Sequence, residues 1–119
     1  MEIITRGGYK ALALSKEDKL QTLPDVLDLI PAVWADECQA AIIPMECLPE
    51  AFFDLKTGFA GEVLQKFTNY HLKFVVIGDF LGFASKSLRD FMYESNKGHQ
   101  VFFKTTTEDA MAAMEKVFS

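Results

Sequence analysis

Lys56, Thr57 and Gly58 stand in the stretch FFDLKTGFAGEVLQKFTNY, residues 52–70, at the point where a helix is expected to begin. Amides at a helix start lack internal partners and carry partial positive charge. A lysine beside them adds to the attraction for an anion, and Gly58 and Gly61 leave room for a ligand or a second backbone. The chemistry open to this trio is anion binding or modification of the Thr57 hydroxyl. A plainer role fits the same residues: Thr57 caps the helix, and the glycines relieve crowding against a sheet.

Other polar residues follow apolar runs in the same way. Asp54, Lys56 and Thr57 come after AAIIP; Asp79, Phe80, Ser85 and Lys86 come after LKFVVIG; Lys104 to Thr107 come after QVFF. In open parallel sheets ligands gather outside the carboxyl ends of the strands, so parallel pairing would bring these loops to one rim. The candidate binding or modification residues are therefore Asp54, Lys56, Thr57, Gly58, Asp79, Ser85 and Lys86.

Other chemistries find less support. Glu46, Glu50, Asp54, Glu62 and Asp79 offer oxygens without the spacing of a calcium loop, so neither a metal site nor a cofactor is expected. Cys47 could act with His71 or His99 only if the fold brought them together. No G-x-S-x-G, P-loop or dinucleotide fingerprint is present. Catalysis is thus not the leading reading. Lys86, Arg89, Tyr93 and Lys97 share one side of a predicted helix, which is a solvated face or one that receives an acidic partner.

The elements that must position these residues are those of one domain spanning residues 1–119. Hydrophobic residues make up 50% and charged residues 24% of the chain, the balance of an ordinary globular protein. A net charge of −5 argues against nucleic acid or anionic lipid as a partner. The two cysteines, Cys38 and Cys47, make no disulfide framework and read as buried or half-buried thiols in a reducing compartment. The opening MEIITRGGYKAL has no charged-then-apolar signal region, and no apolar run reaches the roughly 20 residues that span a bilayer. The expectation is a cytoplasmic protein.

EIITRGGYKALAL predicts two strands joined at Gly7-Gly8, which supply the positive φ of a tight hairpin. TLPDVLDLIPAVWADEC predicts a helix with Pro24 in its first turn and a kink, or a break, at Pro31. AAIIP and LKFVVIG read as strands covered on both faces. Between them Phe59, Val63, Leu64, Phe67 and Tyr70 form the apolar stripe of a surface helix. SKSLRDFMYESNKG predicts a helix capped by Ser85 or Ser87 and stopped by a left-handed Gly98. After the strand QVFF, Thr107 is expected to cap a last helix that buries Ala110, Met111, Met114 and Phe118. The fold class is α/β: a mostly parallel sheet with an N-terminal antiparallel hairpin and about four helices.

FFDLKTGFAGEVLQKFTNY, VVIGDF, SKSLRDFMYESNKG and QVFF together resemble a bacterial family known as domain of unknown function four-one-eight-zero. The resemblance runs from about Pro24 to Phe103 and implies a small cytoplasmic α/β protein. MECL, residues 45–48, departs from the lysine–glutamate–asparagine wording of that family.

The order of elements is also similar to the anti-sigma-factor-antagonist fold, STAS. In that family a phosphorylatable serine followed by glycine opens the second helix, and Thr57-Gly58 holds the similar place here. Its aspartate–serine–serine–glycine wording is absent, since Leu55 and Lys56 separate Asp54 from Thr57. A response-regulator receiver is rejected, because no acidic pair follows the first strand.

Sequence and resemblance together lead to a STAS-like regulatory or interaction module, non-enzymatic, with a protein partner or a second copy of itself. The alternative is a small anionic-ligand-binding protein or enzyme with its site at the same rim.

Overall fold

The structure, a computed structural model, describes residues 1–83 and 85–118, with 117 and 118 as backbone only. The expected burial of the Phe118 side chain lies outside the described residues.

Five strands form one sheet in the order β1 (Glu2–Arg6), β2 (Tyr9–Ala13), β3 (Ala40–Pro44), β4 (Lys73–Ile77) and β5 (Val101–Lys104). Gly7 and Gly8, at φ +58° and +88°, turn β1 back onto β2, and this pair is antiparallel. The remaining pairs are parallel. The described helices are α1 (Leu23–Leu27), α2 (Leu29–Ala35), α3 (Glu50–Phe53), α4 (Phe59–Asn69), α5 (Lys86–Lys97) and α6 (Thr107–Phe118). As α1 and α2 form one broken helix and α3 is a single turn, the four expected helices are all present.

When parallel strands are laid down in sequence order, right-handed crossovers all leave on the same face. The packing agrees. Leu12, Ala41, Ile43, Phe74, Val76 and Phe103 point to the face covered by α1–α5 and meet Val26, Val33, Val63, Phe67 and Leu88 there. Phe74 stacks with Phe52 at 5.6 Å and meets Phe67 edge-on at 4.8 Å; aromatic pairs of this kind add about 0.5–1.5 kcal/mol to area burial. On the other face Tyr9, Ala11, Ala13, Ala40, Ile42, Val75 and Phe102 meet Ala110, Met111 and Met114 of α6. The Tyr9 hydroxyl donates to the Met111 carbonyl, fixing α6 to β2. On β1, Arg6 bridges Glu108 at 2.7 Å and Glu115 at 3.1 Å.

Four local expectations need correction. The helix over residues 23–35 breaks at Asp28 and is not kinked at Pro31. Pro31 has no N–H for the Leu27 carbonyl and its ring crowds that turn, so α1 stops at Leu27 and Pro31 sits in the first turn of α2, where no donor is needed. Gly98 ends α5 in extended backbone, φ −88° and ψ −159°, and is not left-handed. Thr106, not Thr107, caps α6, its hydroxyl accepting the Asp109 amide at 3.1 Å. Tyr70 leaves the apolar stripe of α4: it is 46% exposed and meets exposed Trp34 edge-on at 5.7 Å.

One side chain guards the β5 edge. Lys104 and Gln100 turn their carbonyls toward β4, so Phe103 faces outward with its N–H and C=O open to further pairing. Asn96 of α5 takes both: it accepts from the Phe103 N–H at 2.7 Å and donates to the Phe103 carbonyl at 3.0 Å. The amide thus stands in for a sixth strand, a way of blunting an edge. Replacing Asn96 by Leu should lower the unfolding free energy by about 1–3 kcal/mol in denaturant melts. A change within about 0.5 kcal/mol, the scatter of ordinary surface substitutions, would contradict this role.

Candidate functional site

The carboxyl ends of the parallel strands form one rim, as the parallel pairing requires, but its loops do not converge on one site. Gly78 at the end of β4 marks the divide. A β-carbon there would lie 2.2 Å from the Met45 Sδ and 2.5 Å from its Cγ, so the Met45 side chain rests on bare Gly78 backbone. Met45 lines a cleft on the α6 side and a second cleft on the helical side.

On the helical side, the entry to α4 is built from its own hydrogen bonds. The exposed Thr57 hydroxyl lies 2.7 Å from the Ala51 carbonyl and 2.8 Å from that of Asp54, so its one proton is held by this pair. Its oxygen accepts the Phe59 amide at 3.2 Å, capping the first residue of α4. Asp54 accepts the Lys56 amide at 3.2 Å. Gly58 then turns left-handed at φ +74° with nothing within 4 Å of a would-be β-carbon. The expectation that Thr57 caps the helix needs correction: Gly58 is the N-cap of α4, and Thr57 stands one residue before it, where its hydroxyl is part of the turn and reaches only the first amide of the helix.

Of the other candidates, Asp54, Lys56 and Ser85 border one shallow cavity of about 500 Å³, together with Phe53, Leu55 and Ser87. Ser85 caps α5, accepting the Leu88 amide at 3.2 Å. Lys86 is paired with Asp90 at 2.7 Å along the helix. Asp79 stands apart, in the α6-side cleft and in another cavity beside α5, and accepts the Leu81 amide at 3.1 Å. The seven residues thus fall into separate groups.

Sequence reading missed the apolar character of this side. Leu81 is 94% exposed at the tip of the β4–α5 loop, and Leu55 is 37% exposed. Half-buried Phe53 and Phe83 stack at 5.1 Å, and Phe83 and Phe80 at 6.3 Å. DFLGF, residues 79–83, carries the signal, since a loop with three large apolar residues has no reason to be apolar for its own sake.

The α6-side cleft is the larger, about 750 Å³. Ile4, Ala13, Ile42 and Ile77 lie along one sheet face as its floor, and Thr105 and Thr107 flank it. Its charged borders are Glu2, Glu46, Asp79 and Lys16. Lys16 is paired with Glu46 at 3.3 Å, and the Glu46 carboxyl is held below the ordinary carboxylate range, chiefly by its own backbone amide. This balance repels an anionic ligand.

The remaining chemistries can be placed. Cys47 is buried and donates to the Ser15 carbonyl at 3.1 Å; burial raises its pKa, the opposite of an activated thiolate. His71 sits exposed in a left-handed turn at φ +58°, and the His99 carbonyl accepts from the buried Lys73 amine at 2.5 Å. Lys97 lies over the Tyr93 ring at 4.3 Å on the exposed side of α5. Among the described residues no group of three or more His, Cys, Asp or Glu is arranged to hold a metal ion. No helix of the described residues is long and apolar enough to cross a membrane.

Two sets of substitutions test this geometry. Gly78→Ala forces Met45 aside and should cost about 1–3 kcal/mol, while Gly78→Ala with Met45→Ala should cost less than the sum of the two. Additivity would show that the two residues do not touch. Gly58→Ala meets no neighbour and should cost only the left-handed backbone term, about 1–2 kcal/mol. Thr57→Ala should cost about 1 kcal/mol and Thr57→Ser almost nothing; equal losses for the two would remove the hydroxyl from the turn.

A family model described as Domain of unknown function (DUF4180) matches residues 7–114. No curated protein and no solved structure gives a significant match.

Proposed function

We propose that this chain, which belongs to the DUF4180 family, is a non-enzymatic regulatory or protein-interaction module of STAS-like architecture that docks a protein partner on the helical side of its rim. The observation that carries this reading is the set of apolar side chains on these loops: half-buried Phe53, Phe83 and Phe80 stack in series, Leu55 is exposed, and the Leu81 side chain stands almost wholly in water. Exposed apolar patches of this kind mark interaction sites in soluble proteins.

Support for the STAS-like reading comes from the antiparallel opening pair and the sequential parallel strands. Support for regulation comes from the place of Thr57. Its hydroxyl closes the turn that presents Leu55. A phosphate would replace that donor by about −1.5 to −2 charges, open the turn and alter the docking face. The anionic-ligand alternative draws less support, since the larger cleft is bordered mainly by carboxylates.

The test is affinity capture from the native cell lysate with four baits: wild type, Leu81→Lys, Thr57→Glu and Thr57→Ala. The expected result is a protein held by wild type, lost by Leu81→Lys, and held differently by Thr57→Glu and Thr57→Ala. The last comparison separates charge from simple loss of the turn. A partner held equally by wild type and Leu81→Lys would move the docking face elsewhere, and equal behaviour of both Thr57 variants would end the phosphoswitch.

A further inference from the structure

We infer that β1 is the interface of a homodimer, in which the Glu2–Arg6 strands of two copies pair antiparallel about a dyad at Ile4. The docking face proposed above takes no part. An open sheet ends in two edges, and here one is guarded, since Asn96 occupies the Phe103 backbone on β5. On β1, Gln39 shows which backbone groups face outward. Its amide donates to the Lys10 carbonyl at 2.9 Å and its side-chain oxygen accepts from the Lys10 amide at 2.7 Å, so Lys10 turns away from β1. Thr5 stands opposite Lys10 and therefore points its own N–H and C=O out of the sheet, and alternation makes Ile3 do the same. No loop or side chain among the described residues bonds to either. The run Ile3-Ile4-Thr5 is β-branched and uncharged, its register with β2 is unbroken, and Ile3 is 46% exposed. An edge of this kind is suited to pairing with another strand.

The strand also selects its partner, because EIITR is complementary to itself when reversed. Outward groups at Ile3 and Thr5 allow Ile3 to pair with Ile3, Thr5 with Thr5, or Ile3 with Thr5 of the second copy. The first two registers leave part of each strand unpaired and set Glu2 or Arg6 against Ile4. The last pairs the whole of Glu2–Arg6. Ile3 and Thr5 then exchange both backbone bonds on each side of the dyad, and Glu2 of each copy meets Arg6 of the other. Arg6 spends Nη1 on Glu108 and Nε on Glu115 of its own chain, which leaves Nη2 for a third carboxylate. Exposed ion pairs add little affinity, so the part of this one is to fix the register. Ile4 is half-buried beside the α6-side cluster, and across the dyad its open side meets its twin.

Sedimentation velocity of the full chain over a range of concentrations tests the proposal. Pairing along one short edge is a small interface, so a dimer with a dissociation constant of about 10–100 μM is expected. Thr5→Pro removes only an outward amide, at a place where edge strands accept proline. It should weaken the dimer at least about tenfold and leave the thermal melt nearly unchanged. Cysteine substitutions decide the matter should that variant fold poorly. The Cα atoms of the two Ile4 residues would stand about 4.5 Å apart, within reach of a disulfide, and those of the two Thr5 residues beyond about 7 Å. Mild oxidation should therefore link Ile4→Cys into a dimer at least about tenfold faster than Ile3→Cys or Thr5→Cys. Native Cys38 and Cys47 are buried and do not compete. A chain that stays monomeric up to about 0.5 mM, a dimer that a folded Thr5→Pro variant leaves intact, or equal linking at positions 3, 4 and 5 would overturn the proposal.

Discussion

Everything in this molecule follows from laying four parallel strands side by side in chain order. With right-handed crossovers, that order sends every connecting helix to the same face. One face is therefore crowded with α1–α5 and carries the aromatic core of Phe52, Phe67 and Phe74. The opposite face is left to α6. Small residues there, Ala11, Ala13 and Ala40, let the methionines of α6 sit close, while Tyr9 ties the helix down through the Met111 carbonyl.

The same asymmetry divides the rim. Loops that lead into helices turn toward the crowded face and bring Phe53, Leu55, Phe80, Leu81 and Phe83 together. On the other face the short passage through Thr105 to α6 borders the strand ends, and a cleft lies beside it. Met45 on Gly78 is the wall between the two. Two surfaces of contrasting chemistry thus lie a few residues apart, one rich in aromatic and aliphatic side chains, the other a carboxylate-bordered cleft. The Thr57 turn belongs to the first, and its hydroxyl helps to hold the backbone that shapes it.

Much of this was legible in the sequence. Gly7-Gly8 marked the hairpin, the apolar runs in AAIIP and LKFVVIG marked strands buried on both sides, and the serines at 85 and 87 marked the start of α5, which Ser85 caps. These signals are local, and local chemistry decided them. The misreadings came where two local rules competed: Pro31 suits a first turn as well as a kink, and both Thr106 and Thr107 could cap α6. The site was less legible, because it depends on which loops share a face. Asp54 and Asp79 both follow parallel strands, yet strand order and the position of Met45 put them in different cavities. Glu2 gave no signal at all, since its role as a border of the cleft arises only once β1 pairs with β2 in register.

The central claim is that the helical side of the rim is the working surface. Hydrogen exchange of backbone amides, measured on the chain alone and with its captured partner, tests it most directly. The account requires slower exchange over residues 53–59 and 79–86 in the complex, with residues 107–116 of α6 unchanged. Protection confined to α6 and the β1 edge, with the 53–59 and 79–86 loops exchanging as in the free chain, would contradict it.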